Sequence, residues 1–373
     1  MNKIIIVNEI CSDNIGDHAI NMGVTQALNR YGIETDSYGF DAKIKNVSLE
    51  TISKKNFFSL TIFLRWVKNK TVKNNKAYRY LLWLLRNVIR TIKITKQNKN
   101  GRIIIGGGQL IQSGGTFPIA MYTWIQVSKL FNLDIYIVGV GCAEKFNGLD
   151  SFLYKSSLKH AKKIYVRDHS SISKLEKNFN IKAAFIPDLA YALYDEPVYR
   201  TPKDNVAIIG CTAYYVYMKN VKELNSAKYM EFDEYLQFWV QIILKYCGEG
   251  HILMISTTVE DLYFSKLVYD TIRAINSDLL VKIDFVNTMV TLNEYINFVK
   301  KAKVVLSGRM HSLILGHIAG CNSIPYNINK KVEIFAEEYL KTNASEIAAR
   351  LDLNLKEIFN IHHNCELKTN ADI

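Results

Sequence analysis

The most restrictive feature of this chain is an alternation, repeated along most of its length, of short apolar runs with segments of helical periodicity. The runs include IIIVN, IYIVGV and IYVR in the first half, and VAIIG, ILMI and VVL in the second. Continuous runs rich in isoleucine and valine are typical of strands buried on both faces of a parallel sheet, with crossover helices between them. The alternation therefore predicts the α/β class with doubly wound, Rossmann-like sheets.

The length of 373 residues is comfortable for two such domains. Three of the five prolines, Pro187, Pro197 and Pro202, lie within 16 positions of one another. Rigid, polar backbone of this kind suits a linker between domains. We therefore expect an N-terminal α/β domain over residues 1–196 and a C-terminal α/β domain, including the last helices, over residues 197–373. The carboxyl ends of the two sheets should face a common cleft.

Positive charge is concentrated in one segment. The net charge is +12, yet residues 43–100 contain 15 Lys or Arg and the single acid Glu50, so the remainder has 32 basic and 34 acidic residues. Residues 55–98 also carry two apolar, aromatic stretches of helical character, which fits contact with an anionic membrane surface. A charge-lined insertion packed on the domain is an equal alternative. Nucleic acid is not an expected partner, because no recognisable nucleic-acid module surrounds the segment.

The remaining composition argues against several classes of protein. The six cysteines are scattered singly and the eight histidines lack zinc-type spacing, so we expect no structural metal. We also expect no cofactor. There is no signal peptide and no apolar stretch of about 18 residues, so we expect a cytoplasmic protein. If the basic segment binds lipid, the protein would be peripheral at the inner face of the cytoplasmic membrane.

The strongest candidate for chemistry is the stretch SGRMHS, residues 307–312, where an apolar strand gives way to a helix. Free N–H groups at a helix N-terminus favour an anion. Arg309 could bind a carboxylate or phosphate through its two-pronged guanidinium, and His311 could transfer a proton near neutral pH. The structural alternative is that Arg309 caps a neighbouring helix and His311 is an interior histidine with its hydrogen bonds satisfied.

Other strand ends carry weaker candidates. Asp17 occupies a position expected to cap a helix, after Gly16, which permits a tight turn. The run IIIGGG at residues 103–108 allows close approach of another molecule, but it is neither the dinucleotide fingerprint nor a Walker loop. Arg167 and Asp168 follow a strand at the edge where open α/β sheets bind ligands; the alternative is a structural Arg–Asp pair.

Several of these segments, taken in order, resemble the polysaccharide pyruvyl transferase family. The resemblance covers residues 14 to about 340 and rests on the loop NIGDHAI, the strand end IIIGGGQ, the turn GVG, and the segments YVRDHSS, IPDLAY and SGRMHSLILG. It implies a two-domain fold similar to that of GT-B glycosyltransferases. On that basis the N-terminal domain is the acceptor side and the C-terminal domain the donor side.

The resemblance also implies a reaction. The family transfers the enolpyruvyl unit of phosphoenolpyruvate to a sugar, usually as a cyclic pyruvate ketal, and releases phosphate. On this basis His311 is the candidate general acid, and Arg309 and Arg167 are candidates for binding the carboxylate and the phosphate. The further candidates for substrate contact are Asn14, Gly16, Asp17, Gly106, Gly107, Gly108, Gln109, Ser312 and Lys331.

The leading hypothesis is therefore a pyruvyl transferase acting on a bacterial surface polysaccharide, exopolysaccharide or capsule, or on its lipid-linked precursor. Two alternatives stay open at this point. One is a GT-B-type glycosyltransferase that uses a nucleotide sugar. The other is a non-catalytic component of the same pathway that binds the membrane surface. The expected partners are phosphoenolpyruvate, a glycan or lipid-linked oligosaccharide, and an anionic membrane.

Overall fold

A computed structural model describes residues 3–41, 76–221, 229–326 and 330–360. These residues form two separate sheets, and all recorded strand pairings in both are parallel. The α/β class and the two Rossmann-like, doubly wound sheets predicted from the alternating pattern are confirmed.

The first sheet has six strands in the order β2-β1-β3-β4-β5-β6. The strands are β1 (Ile4–Asn8), β2 (Thr35–Gly39), β3 (Arg102–Gly106), β4 (Asp134–Val140), β5 (Lys163–Val166) and β6 (Ala184–Phe185). Every residue of β1 is buried, as its unbroken apolar run predicts. The winding direction reverses between β1 and β3, so this is the point where a crevice opens at the carboxyl ends of the strands.

The second sheet has five strands in the order β11-β10-β7-β8-β9. The strands are β7 (Asp204–Gly210), β8 (His251–Met254), β9 (Ile283–Phe285), β10 (Ala302–Ser307) and β11 (Asn322–Pro325). Its reversal point lies between β7 and β10. The SGRMHS stretch begins at the end of β10 and therefore lies at that reversal point.

Helices connect the strands and cover the sheets. In the first part of the chain they are α1 (Ile15–Arg30), α2 (Lys76–Gln97), α3 (Phe117–Leu130), α4 (Gly148–Leu158), α5 (His169–Phe179) and α6 (Glu196–Tyr199). In the second part they are α7 (Tyr214–Val221), α8 (Phe232–Cys247), α9 (Val259–Ile275), α10 (Leu292–Lys301), α11 (Met310–Ile318), α12 (Lys330–Tyr339) and α13 (Ala344–Phe359). Two 3₁₀ helices cover Leu189–Leu193 and Ser277–Lys282. None of the helices in these described parts is long and apolar enough to cross a bilayer.

The capping prediction for Asp17 was wrong. The first helix begins three residues earlier than its apolar periodicity indicates, and Asn14 is the N-cap: its side chain accepts a hydrogen bond from the N–H of Gly16. Asn14 serves because its backbone is extended there, whereas Asp17 already lies in the first helical turn. The carboxylate of Asp17 is thereby placed at the positive end of the helix.

The last helix, α13, returns to the first sheet. The guanidinium of Arg102 donates to the carbonyl of Phe359, the rings of Tyr136 and Phe359 have centroids 5.6 Å apart, and Tyr31 hydrogen-bonds Asp352. One apolar cluster runs from β1 through β10 to α13 and so includes both halves of the chain. The division at residues 196/197 stays a prediction.

Only part of the basic segment lies within the described residues. Its second apolar stretch forms α2, which packs on α3 through a buried face that includes Trp83 and Ile94. Its first stretch, residues 57–70, lies outside the described residues.

Candidate active site

Three side chains from separate parts of the chain meet at one buried carboxylate. Arg167 follows β5, Asp188 caps the 3₁₀ helix Leu189–Leu193, and His311 lies in the first turn of α11. The Nη1 atom of Arg167 is 3.0 Å from Oδ2 of Asp188, and Nε2 of His311 is 3.6 Å from the same oxygen. The sequence motifs YVRD, IPD and SGRMHS are therefore brought together at one place.

Asp188 is the electrostatic centre of this cluster. Burial alone raises its pKa, but the charges of His311 and Arg167 and a hydrogen bond from the N–H of Ala190 outweigh burial and hold the pKa well below its usual range. The hydroxyl of Tyr339 accepts from the N–H of Asp188 and donates to the carbonyl of Arg167. The carboxylate is thus ionised, fixed in place and able to stabilise a protonated imidazole.

The imidazole of His311 rests directly on the first turn of α1. A Cβ atom built at Gly16 would lie 2.2 Å from Nδ1 of His311, so only glycine leaves room for the ring. Its Nε2 atom is buried and has no hydrogen-bond partner among the described residues. Its nearest recorded charge partner is Oδ2 of Asp188, at 3.6 Å, and the catalytic role of His311 stays a prediction.

Arg309 lies in a different environment from Arg167. Its Nε and Nη2 atoms form a two-pronged pair with Asp261 at 2.7 and 2.9 Å, and Nη2 also donates to Thr258. Asp261 is buried and lies in the first turn of α9. Burial lowers the pKa of Arg309, but its bonds to Asp261 and that carboxylate's charge raise it above its usual value overall. Most of its hydrogen-bonding capacity is therefore committed to the protein itself.

Lys331 is the second cation that faces the cluster. It lies in the first turn of α12 and lines both of the cavities described below. Burial, followed by the charge of Arg167, lowers its pKa to about 7, although Asp17, Asp188 and Asp168 oppose this shift. Near neutral pH its amine therefore changes charge readily, and an arriving anion would favour the protonated form.

Two cavities meet at Met310 and Lys331. The larger has a volume of about 750 Å³ and is lined by Arg167, Asp188, Gln109 and the lysines 145, 174, 219 and 330. The smaller, about 90 Å³, is lined by the first residues of α1, α11 and α12, with His311 and Ser312 among them. Three helix N-termini therefore converge on a small space that already contains cationic side chains, an arrangement that favours an anionic ligand.

The predicted acceptor-side residues fall into two groups. Asp17 accepts a hydrogen bond from the hydroxyl of Ser12, and its Oδ1 lies 3.6 Å from a Cβ atom built at Gly108. Gly106 and Gly107 instead have internal roles: a Cβ atom at either would be 2.1 Å from Val138 of the next strand or Ile20 of α1, respectively. Gly108 therefore adjoins the carboxylate of Asp17, whereas the other two allow close packing.

The other predicted contacts are placed as follows. Asn14 is committed to capping α1, although it lines the smaller cavity. Ser312 is buried, and its hydroxyl is hydrogen-bonded to Tyr295. Asp168 does not pair with Arg167; it accepts from the N–H of Ser171 and caps α5. Arg167 does form a buried Arg–Asp pair, but its partner is Asp188 and not the adjacent Asp168.

Two functional candidates escaped sequence reasoning. Asp188 ends the segment IPD, and the signal for it was the same as for Arg167: a polar residue just beyond a parallel strand. Glu9 follows β1 directly. Burial, with the charges of Asp17 and Asp41, raises the pKa of Glu9 to about 7, so its carboxyl group holds a proton over part of the neutral range.

Comparisons with known proteins place these motifs in context. The family model for polysaccharide pyruvyl transferase matches residues 14–330. Among solved structures, the chain aligns with an α,α-trehalose-phosphate synthase (UDP-forming) from Burkholderia vietnamiensis at 9% identity, covering 97% of this chain and 96% of that one with a TM-score of 0.45. It also aligns with a UDP-GlcNAc 2-epimerase from Methanocaldococcus jannaschii at 12% identity, covering 96% and 99% with a TM-score of 0.49. No curated protein matches. Because the family model spans most of the chain and contains every member of the Arg167–Asp188–His311 cluster, this protein belongs to the polysaccharide pyruvyl transferase family.

Proposed function

We propose that the protein transfers the pyruvyl unit of phosphoenolpyruvate to a sugar of a bacterial surface polysaccharide, or to its lipid-linked precursor, as a cyclic ketal. The observation that carries the proposal is the buried Arg167–Asp188–His311 cluster beside Lys331, within a chain of this family. His311 is the proton donor of this group and Arg167 and Lys331 are its cations, and the adjoining smaller cavity is lined by three helix N-termini.

The donor substrate fits the charges of the site. Phosphoenolpyruvate carries a phosphate and a carboxylate, and each charge-assisted hydrogen bond contributes about 1.5–3 kcal/mol. One guanidinium nitrogen of Arg167, Nη1, donates to Asp188. Its Nε and Nη2 atoms lie 3.5 Å from a Cβ atom built at Gly141, which lines the larger cavity. These two atoms and the amine of Lys331 are the donors that we assign to the anionic groups. The commitment of Arg309 to Asp261 gives that residue a positioning role at the start of α11.

The first chemical step is an addition to the carbon–carbon double bond of the donor. The imidazolium of His311 gives a proton to the methylene carbon, which becomes a methyl group, and an acceptor hydroxyl oxygen bonds to the central carbon. The acceptor proton leaves to a base, for which Asp17 is the candidate. Asp188 stabilises the charged form of His311 before the transfer. General acid catalysis of this kind contributes about 10²–10⁴ in rate.

The second step closes the ketal. A neighbouring hydroxyl of the same sugar attacks the central carbon and gives its proton to the neutral imidazole of His311, which restores the imidazolium. The bond from that carbon to the phosphate oxygen breaks, and phosphate leaves with the electron pair. The proton that Asp17 took up in the first step passes through solvent to the released phosphate. Arg167 and Lys331 stabilise the departing charge. No oxidant or reductant is needed, and the products are one pyruvate ketal and one inorganic phosphate.

Acceptor-dependent phosphate release tests this proposal. Purified protein is incubated with phosphoenolpyruvate and a panel of oligosaccharides, and the acceptor is analysed by mass spectrometry. We expect phosphate release only with an acceptor, and a product heavier by one pyruvate less one water. In D₂O the new methyl group should carry solvent deuterium. Phosphate release without such a product, or transfer of a sugar from a UDP- or GDP-sugar, would contradict the proposal.

A further inference from the structure

Helix α2 presents an apolar stripe to the outside of the N-terminal half. Its members are Leu81, Leu85, Ile89 and Ile92, which are 52%, 67%, 73% and 39% exposed, respectively. At 3.6 residues per turn these four side chains lie within about 80° of the helix circumference and extend over about 17 Å. The opposite face, with Trp83 and Ile94, is buried against α3. The helix is therefore apolar on two faces, and only one of them belongs to the core.

The charge of the same helix has one sign. Its sequence contains six Lys or Arg and no Asp or Glu. Arg86, Lys93 and Lys96 are exposed. By helical spacing, Arg86 and Lys93 border one side of the stripe, while Lys96 lies at its carboxyl-terminal end. An apolar stripe edged by cations and free of acids is the pattern of a helix that lies in the interface of an anionic bilayer.

The helix is fixed next to the acceptor side of the cleft. The indole N–H of Trp83 donates to Asp41, which also accepts from Thr116, and the guanidinium of Arg90 donates to the carbonyl of Gly39 at 3.0 Å. Gly39 is the last residue of β2, which pairs with β1. The helix is therefore tied to the same edge of the sheet from which Glu9 and the Asp17 loop emerge.

We propose that the Leu81–Leu85–Ile89–Ile92 stripe of α2 docks on an anionic lipid surface and so places the acceptor side of the cleft beside that surface. A second copy of the chain fits the stripe less well. Pairing two such helices would bring their cations together, and four aliphatic side chains fall far short of the roughly 800 Å² per partner of a stable interface. The lipid assignment stands on α2 alone; its use for receiving a lipid-linked acceptor rests on the proposed function.

Vesicle flotation of the full chain tests the docking surface directly. Vesicles of phosphatidylcholine alone are compared with vesicles containing phosphatidylglycerol, at low and high salt. We expect flotation with the anionic vesicles at low salt, and at least a tenfold weaker partition for Leu85→Glu/Ile89→Glu. The matched control is Leu130→Glu/Leu353→Glu, which changes two leucines that are 77% and 65% exposed on other helices and should float like the wild type.

Four outcomes would overturn the assignment. The first is a wild-type protein that stays with the soluble fraction. The second is equal loss of flotation in the Leu130/Leu353 control. The third is flotation that depends on Arg86 and Lys93 but is unchanged in Leu85→Glu/Ile89→Glu, which would show a purely electrostatic surface. The fourth is a wild-type protein that does not bind vesicles, combined with a Leu85→Glu/Ile89→Glu variant that has a lower Tm than the wild type or no longer forms a wild-type dimer. That result would assign the stripe to protein packing.

The docking test is independent of the transferase proposal, because it uses neither phosphoenolpyruvate nor a glycan. If docking fails, the activity of the wild type on a soluble oligosaccharide is unaffected. If docking succeeds and serves acceptor delivery, Leu85→Glu/Ile89→Glu should retain activity on a soluble acceptor and lose it, by the same factor as its partition, on an acceptor embedded in anionic vesicles.

Discussion

Replacing Asp188 by Asn removes the charge at the centre of the cluster while keeping the shape of the side chain. In the wild type, Oδ2 lies 3.6 Å from Nε2 of His311, and the pair is buried. At an effective dielectric constant of about 20, this distance corresponds to about 4–5 kcal/mol of attraction for the imidazolium. Because each 1.36 kcal/mol is a factor of ten in rate, loss of this attraction in Asp188→Asn should lower kcat/KM by about 10³.

The assay is initial-rate phosphate release with phosphoenolpyruvate and an acceptor, run beside thermal unfolding. Asp188→Asn should also lose stability by about 3–5 kcal/mol, because Arg167 is left buried without its counter-charge. The matched control is Asp168→Asn. It removes one carboxylate from the wall of the same cavity, but asparagine caps a helix as well as aspartate does, so we expect less than a tenfold loss.

Two results would refute this reasoning. One is an Asp188→Asn protein with wild-type kcat/KM. The other is an equal loss of activity in Asp168→Asn, which would show that total charge in the cavity matters and that the contact with His311 does not.

The pH dependence of stability gives a further check. Because the folded-state pKa of Asp188 lies below its unfolded value, the contribution of Asp188 to the free energy of unfolding should be fully present above about pH 5 and disappear as the pH falls below about 4.

The remaining predictions concern Lys331, Gly16 and Arg309. The pKa of Lys331 is lowered to about 7, and a bound anion favours its charged form. Calorimetry should therefore show that phosphoenolpyruvate binding takes up protons and weakens as the pH rises from 7 to 9. Lys331→Arg should make the affinity less dependent on pH. Gly16→Ala should displace the His311 ring, lower kcat at least tenfold and lower the free energy of unfolding by about 1–3 kcal/mol. Gly148→Ala is the control: a Cβ atom there meets open space, so kcat and the free energy of unfolding should stay close to the wild-type values. Arg309→Ala should lower the free energy of unfolding by about 3–5 kcal/mol, because Asp261 stays buried without its partner; an unchanged Tm with lost activity would instead support direct anion binding.

The fold followed from sequence because its determinants are local. Runs such as IIIVN can be read as buried strands without knowing what packs on them, and residues that follow parallel strands share one edge of the sheet. Arg167 follows a strand of the first sheet and His311 follows a strand of the second, so this rule places each of them at the edge of its own sheet. The packing of the two halves then brings them together, although 143 other residues separate them in the chain. The helix start at Ile15 was missed because Asn14 and Asp17 are both good caps, and backbone geometry decides between them.

The partners of the charged residues could not be predicted, because pairing is a long-range property. Arg309 and Asp261 are 48 positions apart, and nothing in either local pattern identifies the other. The same holds for Asp188, which meets His311 only when the two halves of the chain are packed together. The apolar residues of α2 were visible in the sequence, but which of them face the core is set by its packing on α3.

The central claim is that the Arg167–Asp188–His311 cluster binds phosphoenolpyruvate, and titration calorimetry tests it without knowledge of the acceptor. We predict that phosphoenolpyruvate binds the wild-type protein near neutral pH and that Arg167→Ala weakens this binding at least tenfold, while Arg200→Ala, an exposed arginine paired with Glu196 away from the cavities, leaves it unchanged. Binding of UDP- or GDP-sugars with no response to phosphoenolpyruvate, or equal affinity in wild type and Arg167→Ala, would contradict the claim.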